Sequence, residues 1–326
     1  MISFLTSLKP FRGAVADIQH AALRSWRQVH ADAEIIVYGA CPGIEVVTEC
    51  KIRHVPNIAC GASGPPLFNA LADHAAMEAR HDLQIYINGD ILLHRCTLDA
   101  ATALRRRFDN FLGVGQRVDL AEGCCVNMSA PDAGDELRRL AASSQATLHA
   151  PSGKDYFLFL RGLWQNLPAP VVLGRGAYDS ALLAYAFRHR VPLVDCTAAI
   201  PALHLFHDYA HVAGGVSAAH HGPETVAMMR AYGVRRSAPT VADAGWVVVD
   251  GAMRRQPCRG DRLRQFELYL RFIRSAPRCA LAVRALWRLL HPETRQPECW
   301  QLADICRALD GTGCNCATGC AEGAFA

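Results

Sequence analysis

The 326-residue sequence predicts an α/β protein in which helices cover both faces of a mainly parallel sheet, followed by a helical extension. Two observations predict it. Over the first two thirds of the chain, short apolar runs alternate with segments of helical spacing, which is typical of parallel strands joined by crossover helices. The run at residues 83–87 is also largely apolar, as expected for a central strand buried on both faces.

The individual elements follow from the same periodicity. In the segment 14–30, Ile18, Ala22, Trp26 and Val29 fall on one helical stripe. The segment 123–144 is polar and rich in Gly and Asp, and we expect it to be a surface excursion. Strands are predicted at 2–5, 34–39, 51–55, 83–87, 111–114, 155–159 and 191–194, and helices at 14–30, 67–79, 97–107, 179–189, 262–275, 280–290 and 298–308.

Composition excludes several classes of protein. With 51% hydrophobic and 20% charged residues, the chain can bury a core and is not predicted to be disordered. A net charge of +4 is too small to predict nucleic-acid binding. No apolar run approaches the length of a membrane span and no signal peptide is recognisable, so we expect a cytoplasmic protein. Most of the 14 cysteines are then expected to be reduced, small and buried.

Three regions are predicted: an α/β domain at 1–225, a mainly helical extension at 226–310 and a Gly/Cys-rich tail at 311–326. Residues 251–300 contain 11 Arg against 4 acids, which fits either a helical cap with a solvated Arg face or a docking surface for an acidic partner. The tail carries Cys314, Cys316 and Cys320. It is interpreted as a flexible terminus, a soft-metal site with Cys306, or a segment that is itself modified or recognised.

The clearest local signal follows the predicted strand at 83–87. Asn88, Gly89 and Asp90 come directly after it, and ligands of open parallel sheets bind outside the carboxyl ends of the strands. Carboxylate and amide oxygens suit a hard divalent cation that bridges phosphate oxygens. The alternative is a turn in which the same residues supply caps and a left-handed backbone. Locally, both interpretations stay open.

A second signal is the cluster at 204–211, which contains His204, His207, Asp208, Tyr209 and His211. Imidazole nitrogens can complete the shell of a metal ion or carry protons. Because the cluster follows a predicted strand, it favours a site over scattered surface histidines.

Two further segments offer polar groups. In the segment 174–179, Asp179 either caps the following helix or acts as a general base, and one residue can do both. In the segment 113–119, Arg117 supplies a guanidinium suited to phosphate or carboxylate, or simply forms a salt bridge within a loop. The sequence contains no Gly-x-x-x-x-Gly-Lys loop, no Gly-x-Ser-x-Gly elbow and no Cys-x-x-Cys pair.

Taken in order, several of these segments resemble one family. The chain is similar to glycosyltransferases with the GT-A nucleotide-diphospho-sugar transferase fold over roughly residues 1–215, and the C-terminal third lies outside the resemblance. The segments that carry it are 6–13, 25–26, 37–39, 86–91, 114–117, 155–157, 174–179 and 207–211.

The resemblance implies a nucleotide-sugar site at the end of the first strand. Thr6 and Lys9 would contact the nucleotide, with Arg12 near the phosphates and with Asn88 and Arg117 completing the site. The family's Asp-x-Asp motif is similar to residues 88–90 here, with the first Asp replaced by Asn.

The resemblance also implies a cofactor, a divalent cation (Mn²⁺ or Mg²⁺) held by Asp90 and His207, with Asp179 as the base that deprotonates an acceptor hydroxyl. In an enzyme that retains configuration, Asp179 would position groups instead. The implied partners are a nucleotide-sugar donor and an unknown acceptor. The resemblance also implies residues that contact the acceptor or support the residues that bind the ligands. These are Asp155, Tyr156, Arg175, Tyr178, Asp208 and His211.

Because the fold also hosts inactive relatives, an alternative function stays open. In that case the domain would be a catalytically degenerate binding module that contacts a partner through its Arg-rich C-terminal helices.

Overall fold

A computed structural model describes residues 1–47, 50–130, 132–207, 215–249, 251–256, 262–290 and 300–310. These residues form two sheets and ten α-helices. The strands are β1 Ser3–Thr6, β2 Glu34–Tyr38, β3 Ile52–Val55, β4 Leu83–Ile87, β5 Ile91–Leu93, β6 Leu112–Val114, β7 Arg117–Leu120, β8 Ala146–Leu148, β9 Tyr156–Leu160, β10 Leu193–Asp195, β11 Ala202–His204, β12 Trp246–Val249 and β13 Ala252–Arg255. The helices are α1 Gly13–Val29, α2 Phe68–Glu78, α3 Thr97–Arg107, α4 Ala133–Ala141, α5 Tyr178–Arg188, α6 Gly215–His221, α7 Pro223–Tyr232, α8 Arg262–Leu268, α9 Pro277–Leu290 and α10 Leu302–Leu309.

The larger sheet is mainly parallel, as predicted. Its nine strands have the order β13-β12-β10-β6-β9-β4-β1-β2-β3. Within it, β9 is antiparallel to both of its neighbours, and β13 is antiparallel to β12. Because β4 and β6 are each antiparallel to β9, they are parallel to each other. The carboxyl ends of β1, β4, β6 and β10 therefore lie at one edge of the sheet, together with the amino end of β9.

Buried side chains cover both faces of this sheet. Successive residues of a strand point to opposite faces, so Phe4 packs in one cluster with Trp26 of α1, whereas Leu5 packs in the other with Phe68 of α2. The ring centroids of Phe4 and Trp26 lie 5.8 Å apart in a stacked arrangement. This two-sided burial explains why the central strands have apolar residues at consecutive positions rather than an alternating pattern.

A smaller, four-stranded sheet was not predicted. Its order is β5-β11-β7-β8, and its strands contain only three or four residues each. Runs this short are too brief to show a period of two. The expectation for 123–144 was also wrong in part, because α4 lies there and buries Ala133, Leu137 and Ala141, which are spaced four residues apart.

The C-terminal segment contains both helices and strands. Its residues 246–249 and 252–255 contribute β12 and β13 to the larger sheet, while α8, α9 and α10 occupy much of the three predicted helical segments. A π-helical turn, Tyr269–Ile273, follows α8 directly. Four of the described cysteines are buried, namely Cys41, Cys50, Cys96 and Cys196. The tail cysteines 314, 316 and 320 lie outside the described residues, and no described helix is long and apolar enough to cross a membrane.

Candidate active site

The smaller sheet brings the separate sequence signals together. Asp90 precedes β5, and His204 is the last residue of β11, which pairs with β5 so that His204 stands opposite Ile91. The backbone amide of Leu205 donates to the carbonyl of Asp90 at 3.0 Å and extends this pairing. His207 follows three residues after β11. A strand pairing between residues far apart in sequence therefore places two histidines beside one carboxylate.

The three side chains form a compact cluster. His207 Nε2 lies 2.7 Å from Asp90 Oδ2, and His204 Nε2 lies 3.9 Å from the same oxygen. One ligand atom from each of Asp90, His204 and His207 falls within 4.8 Å of the others, as binding to one metal ion requires. The other oxygen, Asp90 Oδ1, is buried and has no hydrogen-bond partner among the described residues. A buried carboxylate oxygen in this state is available to a cation.

The charges around Asp90 favour its ionised form. Burial by itself raises the pKa of this carboxyl, but the hydrogen bond with His207 and the nearby charges of His204, His207 and Lys9 outweigh burial and lower the pKa below its usual value. Asp90 is therefore ionised at neutral pH, and the ionised carboxylate is the form that binds a cation. Two imidazoles and one carboxylate suit a transition-metal ion better than Mg²⁺, which prefers oxygen ligands.

Lys9 lies next to the cluster, just beyond the end of β1. Its Nζ is 3.3 Å from each ring nitrogen of His207. Gln19 of α1 fixes the lysine backbone: its Oε1 accepts from the Lys9 amide at 2.6 Å, and its Nε2 donates to the Lys9 carbonyl at 2.9 Å. A positive charge is thus positioned beside the metal-binding side chains, where it favours an anionic ligand.

Asp119 of β7 contacts two histidines, His204 of the cluster and His149. Its Oδ1 lies 3.1 Å from His204 Nδ1, and its Oδ2 lies 2.6 Å from His149 Nδ1. Burial raises the pKa of Asp119, but these hydrogen bonds and the charge of Arg117 outweigh it, and the pKa is lowered. A carboxylate on the second nitrogen of a histidine fixes the ring and directs Nε2 toward a metal.

Asn88 takes part in a different network. Its Nδ2 donates to Asp155 Oδ1 at 2.7 Å, and its Oδ1 accepts from the hydroxyl of Tyr178 at 3.0 Å. Arg117 extends the network, since it donates to Asp155 at 2.9 Å and to Asp119 at 2.7 Å. These contacts occupy Asn88 and Arg117 in connecting strand ends. Asn88 therefore differs in environment from Asp90, although the two are separated by one residue.

Asp179 lies in the first turn of α5 and forms an ion pair. Its Oδ2 is 2.6 Å from Nζ of Lys154, whose side chain is only 1% exposed. Lys154 Nζ also donates to the Ser152 carbonyl at 2.9 Å. Asp179 thus balances a buried positive charge, which ties α5 to the loop before β9. Through Lys154, Asp155 and Tyr178, this region is continuous with the network around Asn88.

The remaining predicted residues are spread over several environments. Thr6 ends β1, and its buried hydroxyl oxygen has no hydrogen-bond partner among the described residues. Arg12 is exposed just before α1. Tyr156 lies in the core, where its hydroxyl donates to the Ile200 carbonyl at 3.4 Å. Arg175 contacts Ser63 and Glu224 instead of the cluster of Asp90, His204 and His207. Asp208 and His211 lie outside the described residues.

Comparisons with known proteins concern the fold. No family model and no curated protein matches the sequence. Among solved structures, the chain is similar to glucosyl-3-phosphoglycerate synthase from Mycobacterium tuberculosis in complex with Mg²⁺ and UDP, at 15% identity and a TM-score of 0.43 over 73% of this chain and 81% of that one. It is also similar to S. aureus TarS in complex with UDP-GlcNAc, at 11% identity and a TM-score of 0.44 over 95% and 90% of the chains.

The described residues fold as a mainly parallel nine-stranded sheet with buried side chains on both faces, beside a smaller four-stranded sheet. Identities this low concern fold alone, so function is inferred below from the side chains of the site itself.

Sequence reasoning missed part of this site. His204 belonged to the histidine cluster but had no assigned role, and Asp119 and His149 had none at all. Asp119 was visible as a carboxylate two residues after Arg117, within a segment taken as a loop. Its importance depends on the pairing of β7 with β11, which places Asp119 opposite His204.

Proposed function

We propose that this protein is a glycosyltransferase that moves a sugar from a nucleoside diphosphate donor to an acceptor hydroxyl with the help of a divalent cation. The observation that carries the proposal is the cluster of Asp90, His204 and His207 at the carboxyl edge of parallel strands, with Asp90 Oδ1 buried and unpartnered among the described residues. Lys9 at the end of β1 adds a positive charge at the same place.

Of the two expected cations, Mn²⁺ and Mg²⁺, the set of two imidazoles and one carboxylate favours Mn²⁺, because Mg²⁺ prefers oxygen ligands. Two imidazole nitrogens and one carboxylate oxygen would hold it, and Asp119 would orient His204 from behind. When bound, such an ion acts as a Lewis acid that stabilises negative charge on a leaving diphosphate. Three protein ligands leave coordination positions for phosphate oxygens.

The charge balance of the proposed site supports a diphosphate as the substrate group. The described cluster contains one carboxylate, against the double charge of the cation and the single charge of Lys9. The positive excess fits a diphosphate, which would bridge the cation and the Lys9 ammonium. We therefore expect the nucleoside diphosphate and the cation to strengthen each other's binding, because Lys9 and the cation repel each other until an anion separates them.

The contacts of the remaining predicted site residues support a proposed role for each of them. Thr6 is proposed to contact the nucleotide through its unpartnered hydroxyl, and Arg12 to approach the phosphates from solvent. Asn88 and Arg117 are proposed to hold the strand ends in place, since their donors already engage Asp155 and Asp119. The ion pair of Asp179 with Lys154 favours a positioning role over that of a free base.

Titration calorimetry with Mn²⁺ and a panel of nucleoside diphosphates tests the proposal. We expect the wild-type chain to bind both, with tighter binding of either in the presence of the other. Asp90→Asn should lose Mn²⁺ binding with little change in melting temperature, whereas Asp17→Asn, an exposed carboxylate change on α1, should bind as wild type. A wild-type chain that binds neither Mn²⁺ nor any nucleoside diphosphate would overturn the proposal.

A turnover assay distinguishes an active glycosyltransferase from a catalytically degenerate binding module. An active transferase releases nucleoside diphosphate from a nucleotide sugar, even slowly with water as acceptor. Binding of Mn²⁺ and nucleoside diphosphate without turnover of any nucleotide sugar in the panel would support the binding module instead.

A further inference from the structure

One helix pair in the C-terminal segment has an unusual distribution of charge and apolar surface. It consists of α8, the π-helical turn at 269–273 and α9, and α8 packs against α9. Three large apolar residues of α9 are exposed: Leu286 at 46%, Leu289 at 77% and Leu290 at 58%. With Ala282 one turn earlier, they form one side of the helix, which we term the leucine face.

The opposite side of α9 is attached to the protein through the fully buried Ala280 and through charge. Arg284 donates to Ser237 at 2.7 Å and to Glu267 Oε2 at 3.3 Å. Glu267 is 1% exposed and also accepts from Arg264 at 2.7 Å and from Arg271 at 3.3 Å. A helix that only covered a core would turn its leucines inward and its arginines to solvent. Because α9 has Arg284 inward and the leucine face outward, the arrangement fixes apolar side chains at the surface.

Exposed arginines accompany the leucine face, and Arg278 lies on the same side of α9, one turn before Ala282. Arg278 and Arg288 of α9 are exposed, as are Arg262 and Arg274 in the preceding segment. Among residues 262–290 the single acid is Glu267, and it is buried. Phe266 and Tyr269 of the same helix pair are also exposed, at 49% and 39%. The exposed surface of the pair therefore combines apolar side chains with arginines and offers no carboxylate.

We propose that this helix pair binds the surface of an anionic lipid membrane. Leucines on one side of a short helix, with exposed arginines on the same helix pair, are the pattern of helices that lie in the interface between headgroups and acyl chains. The leucine face would enter that interface, and the exposed arginines would contact lipid phosphates. At 14 residues, α9 extends for about 21 Å, enough to lie along a bilayer surface and too short to span one.

Charge argues against a second copy of this chain as the occupant. Two leucine faces placed together would also bring two sets of exposed arginines into proximity, with no exposed carboxylate on residues 262–290 to neutralise them. The inference concerns a surface separate from the proposed metal-binding cluster, and it does not depend on the proposed transferase activity.

Vesicle flotation of the full chain tests the proposal. We expect the protein to float with vesicles of equal parts phosphatidylcholine and phosphatidylglycerol, and to bind phosphatidylcholine vesicles far more weakly. Leu286→Ser with Leu289→Ser should weaken binding by about tenfold or more, because two apolar contacts with the acyl region are lost. Arg278→Gln with Arg288→Gln should weaken it by about fivefold per charge at low salt.

Control variants on other helices test whether a loss of vesicle binding is specific to the helix pair. Met77→Ser removes an equally exposed apolar side chain from α2, and Arg105→Gln with Arg106→Gln removes two exposed charges from α3; neither should change flotation. Equal melting temperatures would exclude unfolding as the cause of any loss. Failure of the wild type to float with the anionic vesicles would overturn the proposal. So would a wild-type dimer that dissociates on the leucine substitutions, or equal binding by the leucine variant.

Discussion

Asn88 Nδ2 donates a 2.7 Å hydrogen bond to Asp155 Oδ1, which gives Asn88 a structural partner that an aspartate at position 88 could not use. The amide nitrogen is the only donor in the side chain of Asn88, and the side chain of Asp155 in its ionised form can only accept. The Asn at position 88 is thus matched to Asp155.

Asn88→Asp is therefore expected to destabilise the protein by about 1–3 kcal/mol, because two carboxylates then face each other in a partly buried place. Urea unfolding at neutral pH measures it. Exchanging the pair, with Asn88→Asp and Asp155→Asn together, should recover part of the loss. If Asn88→Asp alone leaves the unfolding free energy unchanged and tightens Mn²⁺ binding, position 88 is a metal ligand and not a structural residue.

Asp119→Asn is expected to weaken Mn²⁺ binding by about 10–100-fold, since His204 loses the carboxylate that orients its ring. Titration calorimetry measures the affinity. Asp82→Asn is the matched control, because Asp82 pairs only with exposed or half-exposed arginines, Arg105 and Arg161, among the described residues. An unchanged Mn²⁺ affinity in Asp119→Asn would show that Asp119 is not needed to orient His204 for metal binding.

Asp179→Asn separates a structural role from a catalytic one. It leaves the buried Lys154 ammonium uncompensated, so we expect a loss of about 3–5 kcal/mol in the free energy of unfolding. Adding Lys154→Met should restore much of that stability, which a double-mutant cycle measures. If Asp179→Asn instead keeps its stability and loses only turnover, Asp179 acts as the base.

Acid should weaken the C-terminal helix pair through Glu267. Burial raises the pKa of this carboxyl, but the charges of Arg264 and Arg284 and hydrogen bonds from Ser237 and Arg264 outweigh burial, and its pKa is lowered. A lowered folded-state pKa means that the stabilisation is complete above the unfolded value of about 4.3 and is lost as the pH falls through the folded value.

Glu267→Gln should accordingly destabilise the protein at neutral pH by about 3–5 kcal/mol and reduce the further loss between neutral pH and about pH 3. Urea unfolding across this range measures both effects. Glu78→Gln serves as the control, because its pair with Arg53 is exposed and should contribute at most about 1 kcal/mol. An acid dependence identical to wild type in Glu267→Gln would rule out Glu267 as a source of acid sensitivity.

The strands of the larger sheet were largely predictable, whereas those of the smaller sheet were not. Continuous burial on both faces leaves an apolar run in the sequence, as at β2 and β4, and helical spacing leaves a stripe, as on α1. The strands β5, β7, β8 and β11 are too short to leave such a pattern. Their pairing depends on the larger sheet being formed, because β5 follows the end of β4 and β7 follows the end of β6.

The sequence by itself determined the alternation of strands and helices, the placement of Asp90 after a central strand and the presence of a histidine cluster. Local apolar spacing and chain order encode these properties. Only the tertiary structure decided that His204 joins Asp90 and His207, that Asp119 orients His204 and that Asn88 and Asp179 are already paired. These contacts join residues as far as 117 positions apart, and strand register, which no local pattern specifies, sets them.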